Sequence, residues 1–297
     1  MSKKLTLWKQ KVILGEDIKL RNDYIGGSDI GTIMGVNPWK SAYTLWAEKT
    51  GLIETKDIST ELAVWFGAKE EDIVAERFTF ETGLRTKKSN YAYQCREYPY
   101  LRGHVDRMVV GKNCGLECKT TSAYNKTDFE SGDIPPMHYW QCMFYIALTG
   151  CLYWYLATKR NNNEFHILRI DRDDDAITAM LTACEDFWGH VTDGTPPEVD
   201  GSYSTTETLK EMYAIEASEP YTVDLMGVES ELTAIINIKS EIKDLETLKK
   251  KYENTVRSLM GDNILGETEK YTVTLKADTR GVRILRIKER KEEEKDD

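Results

Sequence analysis

Residues 101–122 read LRGHVDRMVVGKNCGLECKTTS, and the fold turns on how this stretch pairs with itself. Alternation with a period of two predicts strands over Leu101–Val110 and Gly115–Thr121, separated by a Gly-Lys-Asn turn. Arg102, His104, Asp106 and Met108 then share one face of the first strand, and Gly115, Glu117 and Lys119 one face of the second. A turn closing over Gly111 and Lys112 sets Asp106 directly across from Glu117. Opposed side chains have Cβ atoms about 4.5–5.5 Å apart, and two carboxylates held there repel unless a cation bridges them. Oxygen ligands with an ammonium beside them suit Mg²⁺ and phosphodiester cleavage, Lys119 orienting or helping to deprotonate a water. Glu-x-Lys is common by chance in a chain this charged, so the weight rests on the aspartate across the ladder.

On the N-terminal side, Ser41 caps a predicted helix that runs to Lys49 and stops at Gly51, and a longer helix spans about Ile58 to Glu81 and stops at Gly83. A third β-rich run, Tyr91–Glu97, makes a meander with the two central strands. On the C-terminal side a helix over about Met137–Leu148 follows Pro135-Pro136, then strands Cys151–Thr158 and Glu164–Asp171, then a helix over about Asp174–Val191. This order describes an α/β (α+β) layered domain over 1–200. In the remaining extension, 201–297, Ile235, Ile238, Ile242, Leu245, Tyr252, Val256 and Leu259 lie on a heptad stripe broken by Lys249. It fits either a coiled-coil seam or packing on the chain's own domain. A hairpin, Tyr271–Lys276 with Val282–Ile287, precedes the charged tail KERKEEEKDD.

The 297 residues carry a net charge of −10, which argues against an indiscriminate polyanion binder. The charge is uneven: 1–159 hold 21 basic against 19 acidic residues, and 160–200 hold 3 against 10. The first half can therefore face DNA. Six cysteines without a CxxC pair suit a reducing, cytoplasmic compartment, and the most apolar window, Met143–Ala157, is too short and interrupted to be a membrane span. His104, His138, His166 and His190 lack metal-binding spacing, and no serine-hydrolase elbow or Walker loop is present.

Three further segments offer candidates. FGAKEEDIVAERF supplies Glu70, Glu71 and Glu76 for a third carboxylate, although most acids on such a helix face water. MHYWQCMFYIALTG puts Gln141 and Tyr145 one helical turn apart on one face, though an aromatic-rich helix is usually core. YIGGSDIGTIMGVNPWKS lets the backbone turn at Gly26 and Gly27, with Ser28 as cap of a helix beginning at Asp29. Amides at such an end favour a phosphate; the glycines can equally serve close helix crossing.

Taken in order, RNDYIGGSDIGTIMGVNPWKSAYTLWAEKTG, FGAKEEDIVAERFTFETG, GHVDRMVVGKNCGLECKT and MHYWQCMFYIALTG resemble the YqaJ-type viral recombinase family, the lambda-exonuclease-like nucleases, over about Arg21–Thr158. The resemblance implies a PD-(D/E)xK restriction-endonuclease-like core, a central mixed sheet flanked by helices; the C-terminal helical and β-hairpin extension lies beyond the matching motifs, where the chain departs from the shorter members. It implies a metal site of Glu71, Asp106, Glu117 and the Cys118 backbone carbonyl, with Lys119 as the catalytic lysine; the glycine spacing, Gly67 and Gly83, selects Glu71 over Glu70. Arg21 and Ser28 match the pair that grips a terminal 5′-phosphate, and Gln141 and Tyr145 join the DNA-binding set.

The implied activity is a Mg²⁺-dependent 5′-to-3′ exonuclease on double-stranded DNA ends, with Mn²⁺ substituting, which leaves 3′ single strands for annealing recombination. A ring-shaped homotrimer, a single-strand annealing partner, and a phage or prophage protein in a bacterial cytoplasm are implied with it. A structure- or site-specific endonuclease on the same core is the alternative within nucleases. A non-catalytic DNA-binding assembly protein is the alternative outside them.

Overall fold

The computed structural model describes residues 21–89, 91–121, 133–214 and 222–290, and the backbone alone of 7–11. It divides into two compact units, Met1–Glu216 and Ala217–Asp297.

The first unit runs β1 (Leu7–Lys11), a 3-10 turn Arg21–Asp23, α1 (Gly27–Ile33), α2 (Ala42–Lys49), α3 (Leu62–Thr82), β2 (Thr86–Lys88), β3 (Tyr91–Cys95), β4 (Arg102–His104), β5 (Arg107–Val109), β6 (Cys114–Thr121), α4 (Pro136–Thr149), β7 (Tyr153–Arg160), β8 (Glu164–Asp171), α5 (Asp174–Asp193) and α6 (Tyr203–Met212). Local chemistry sets the helix ends. Ser41 Oγ accepts the Thr44 N–H and starts α2, Asp173 accepts two amides and starts α5, and α3 and α4 stop at Gly83 and Gly150 in the left-handed region.

Five strands form the central mixed sheet in the order β2-β5-β6-β7-β8. Every neighbouring pair is antiparallel except β6 and β7, which are parallel and therefore need a crossover between them; α4 lies in that connection. On one face Val74, Ala75 and Phe78 of α3 pack on Val109, Leu116 and Ala157. On the other face α4 seats Met143, Phe144 and Ile146 among Trp154, Leu156 and Ile170, with α1, α2 and α5 behind it.

The expected meander divides between two sheets. β3 and β4 pair in a separate sheet, β1-β3-β4, whereas β5 belongs to the central one. The predicted strand Leu101–Val110 breaks at Val105-Asp106, where the chain leaves one sheet for the other. Periodicity continued through that break because Leu101, Gly103, Val105, Arg107 and Val109 are all buried while the residues between them are not.

The boundary expected near Asp200 falls later, because α6 packs on α2. Thr44 Oγ1 lies 2.7 Å from Ser204 Oγ and 2.8 Å from Thr208 Oγ1, and Thr205 Oγ1 donates to Ser41 Oγ at 2.8 Å. In the second unit a 3-10 turn, Met226–Val228, leads into α7 (Glu229–Met260), followed by β9 (Leu265–Glu267), β10 (Tyr271–Ala277) and β11 (Arg283–Glu289) in the sheet order β11-β10-β9. The hairpin pairs Val273 with Ile287 and turns at Gly281, φ 81°. Arg283 ties the helix end to the sheet by donating to the carbonyls of Gly261 and Asn263, both at 2.6 Å. The end of the charged tail, 291–297, lies outside the described residues.

Candidate active site

The register of the two central strands decides the site. Arg107 stands opposite Leu116 and Met108 opposite Gly115, so the ladder continued by one residue brings Asp106 to Glu117. Asp106 sits at the break between the sheets, and its Oδ2 accepts the Cys118 N–H at 2.8 Å. Glu117 is only 2% exposed. Its Oε1 takes Lys119 Nζ at 2.7 Å and Gln141 Nε2 at 2.7 Å, while its Oε2 is buried with no hydrogen-bond partner.

Burial and the Glu117 carboxylate push the Asp106 carboxyl well above the usual carboxylate range. For Lys119 burial alone would favour the neutral amine, but the facing charges of Glu117 and Asp106 outweigh it and hold the ammonium above the usual lysine range. A lysine carrying that charge can orient and stabilise a negative group in the cleft.

Gln141 does not reach toward solvent. Its amide nitrogen bridges Glu117 and the Tyr145 hydroxyl, the latter at 3.1 Å, so α4 fixes the glutamate's rotamer. Glu71 lines the same cleft from α3 but is held by Arg107, which also binds Asp72 and donates to the Asp106 carbonyl at 2.7 Å. Glu70 points elsewhere, to Lys159 Nζ at 3.0 Å. The Cys118 side chain belongs to the α3 layer, and burial pushes its thiol up, so it is an unreactive thiol; all six cysteines are free.

At the other end of the cleft, Arg21 Nη2 donates to Ser28 Oγ at 2.8 Å. Ser28 is inside α1 and does not cap it. Gly26 occupies the cap position, and Asp29 Oδ2 accepts the Gly26 N–H at 3.0 Å. Gly27 and Gly31 serve close crossing, since a Cβ at either would collide with Tyr145 or Met137 of α4. The Asp29 carboxylate is neutralised by a buried lysine: Lys49 Nζ spends its three protons on Asp29 Oδ2 (2.9 Å) and the carbonyls of Arg21 (2.8 Å) and Tyr24 (2.6 Å). One cleft of about 550 Å³ holds both ends, with Arg21 and Ser28, then Arg102 and His104, then Asp106, Glu117, Lys119 and Glu71 on its walls.

Sequence reasoning missed three contributors. Lys49 and Arg107 carry no motif that singles them out, and both are buried. His138, one turn before Gln141 on α4, carries a ring that burial and the Lys119 charge hold neutral, its value pushed down to about 3.

Among the described residues no cluster of three His, Cys, Asp or Glu side chains is ready to hold an ion. Two carboxylates converge, and the third is occupied by Arg107. The orphaned Glu117 Oε2 and the unfavourably charged Asp106 are nevertheless what a divalent cation would satisfy, so the donor set fits a hard metal.

Residues 18–152 match the model of the YqaJ-like viral recombinase domain. The uncharacterized protein YqaJ of Bacillus subtilis (strain 168) is 36% identical over 246 residues, 82% of this chain and 76% of the relative. Among solved structures, the alkaline exonuclease LHK-Exo of Laribacter hongkongensis matches with a TM-score of 0.51 at 19% identity, covering 60% of this chain and 92% of the other. LHK-Exo in complex with dAMP matches with a TM-score of 0.51 at 20% identity, over 65% and 95%. These two likenesses carry the fold, a mixed sheet flanked by helices.

Proposed function

This chain belongs to the YqaJ-like viral recombinase family, and on that premise we propose that it is a Mg²⁺-dependent 5′-to-3′ exonuclease acting on double-stranded DNA ends. The observation that carries the reading is the convergence of Asp106 and Glu117 beside Lys119, with Glu117 Oε2 buried and unpartnered. The exonuclease fold and the family point to the same chemistry, that of a PD-(D/E)xK core.

Asp106 and Glu117 would hold the ion, with the Cys118 carbonyl as a further ligand by family resemblance, and Glu71 joining once it leaves Arg107. The bound metal supplies Lewis-acid stabilisation of the phosphoryl group and a more acidic water. Lys119 places positive charge beside the scissile phosphate and keeps an incoming water in line. Gln141 holds Glu117 in one rotamer, with Tyr145 behind it. Arg21 and Ser28 accept the terminal 5′-phosphate at the far wall of the cleft, and Lys49 keeps the Asp29 charge from opposing it. Mn²⁺, another oxygen-preferring ion, would substitute.

A homotrimeric ring around DNA would explain how an acidic chain stays on its substrate, by enclosure in place of charge. The 3′ single strand left behind would pass to an annealing protein, in a phage or prophage setting in the bacterial cytoplasm. The test is digestion of a linear duplex labelled at one end of one strand, with Mg²⁺ or EDTA, beside a closed circle. Early release of 5′-terminal mononucleotides with the circle intact is the expected result. A cut circle would replace this reading with an endonuclease, and inactivity in every metal would replace it with a DNA-binding protein.

A further inference from the structure

The second unit leaves the seam of α7 uncovered. At 32 residues the helix is about 48 Å long, and it buries only Met260. Ile235, Ile238, Ile242, Leu245, Tyr252 and Leu259 are each between 48% and 83% exposed. An apolar stripe of this length in a heptad phase, broken only at Lys249, calls for a helical partner.

The charges of α7 identify that partner. Residues 229–248 hold five acidic and two basic side chains, and residues 249–260 hold one acidic and four basic. The two halves are opposite in sign, so the helix complements a copy of itself running the other way. We propose that α7 pairs antiparallel with α7 of a second copy of this chain.

The register follows from the heptad. With Ile235 at a and Ile238 at d, antiparallel layers that use the whole stripe pair Ile235 with Leu259, Ile238 with Val256, Ile242 with Tyr252 and Leu245 with Lys249 of the second copy. Lys249, the one break in the stripe, then lies against leucine and beside Glu246 of the second copy. On the flank, Lys239 faces Glu253. The parallel in-register alternative stacks Lys249 on Lys249 in the core and sets Glu241 against Glu246, so like charges exclude it. The two-fold axis passes at Thr247, and Leu248, one residue away at a flanking position, stands about 3 Å along the pair from its own copy.

Cysteine cross-linking of the full chain reads the orientation. Leu248→Cys treated with a short bis-maleimide should give a covalent dimer, with wild type treated in parallel to account for the six native cysteines. Ile238→Cys should not, because two copies of that position stand about 27 Å apart along the antiparallel pair. Light scattering reads the association: Ile242→Glu with Leu245→Glu should lower the mass of the assembly at least two-fold, with helical content retained by circular dichroism. Cross-linking of Ile238→Cys in place of Leu248→Cys would overturn the orientation. An unchanged mass in the charged variant, or no cross-link at either position, would overturn the pairing itself.

Discussion

Asp106→Asn should stabilise the metal-free protein and abolish its activity. The Asp106 carboxyl is raised by burial and by Glu117, and its Oδ2 accepts the Cys118 N–H, a bond that an asparagine oxygen can equally satisfy. Two unit charges about 5 Å apart in an effective dielectric of about 20 repel by roughly 3 kcal/mol. The Lys119 ammonium offsets part of this from 2.7 Å beside Glu117, leaving a net gain of about 1–2 kcal/mol on neutralisation. For a domain of this size that is a rise in Tm of roughly 2–8 °C. The pH dependence has a definite sign: the native state holds the Asp106 proton more tightly than the unfolded chain does. Wild-type stability in EDTA is therefore full below the ordinary carboxylate pKa of about 4 and falls as pH rises through the elevated native value. Thermal melts in EDTA at several pH values would show that decline in wild type and its absence in Asp106→Asn. Excess Mg²⁺ should reverse the ranking by stabilising only the wild type. A variant that melts at or below wild type in EDTA would refute the charge-repulsion account.

Lys119→Ala should lower Mg²⁺-dependent turnover by roughly 10²–10⁴-fold, the range for loss of a positioned proton-handling or charge-stabilising group, with an unchanged circular dichroism spectrum; steady-state kinetics on linear duplex checks it. Arg21→Ala should erase the preference for 5′-phosphorylated over 5′-hydroxyl ends that wild type shows, measured as the ratio of initial rates on the two substrates. Lys49→Met strands the buried Asp29 charge and should cost about 3–5 kcal/mol in urea unfolding, whereas Lys49→Met with Asp29→Asn should recover much of it. Phe78→Ala, at a fully buried α3 position, should cost about 3–5 kcal/mol through the cavity it leaves under the sheet, while leaving the cleft's metal affinity intact by calorimetry.

The register of the central hairpin was legible because a two-residue period and one glycine-led turn leave few ways to pair Arg107 with Leu116, and a slip by one would turn Glu117 out of the cleft. Helix ends were legible where a single residue does the work, at Ser41 and Gly83. The split between the two sheets was not, because alternation reports which face a residue takes and says nothing about which neighbour it pairs with. Ser28 was read as a cap since serine suits that position, but the local pairing that won is Asp29 back to Gly26. Side-chain partners that meet across the fold, Lys49 with Asp29 and Arg107 with Glu71, have no periodic signature at all.

The break at Val105-Asp106 also explains why the carboxylates can coexist without a metal. A central strand position would force Asp106 fully onto Glu117 within a continuous ladder, but the chain is between sheets there, and the aspartate turns to the Cys118 amide. Arg107, next in sequence, is 4% exposed and reaches back to Glu71 and to the Asp106 carbonyl. The arginine therefore does for Glu71 what the amide does for Asp106: each supplies a hydrogen-bond donor to a carboxylate of the cleft. Glu117 Oε2 is buried without any donor, and with Lys119 and Gln141 both on its other oxygen, that bare atom is where an ion would have least to displace.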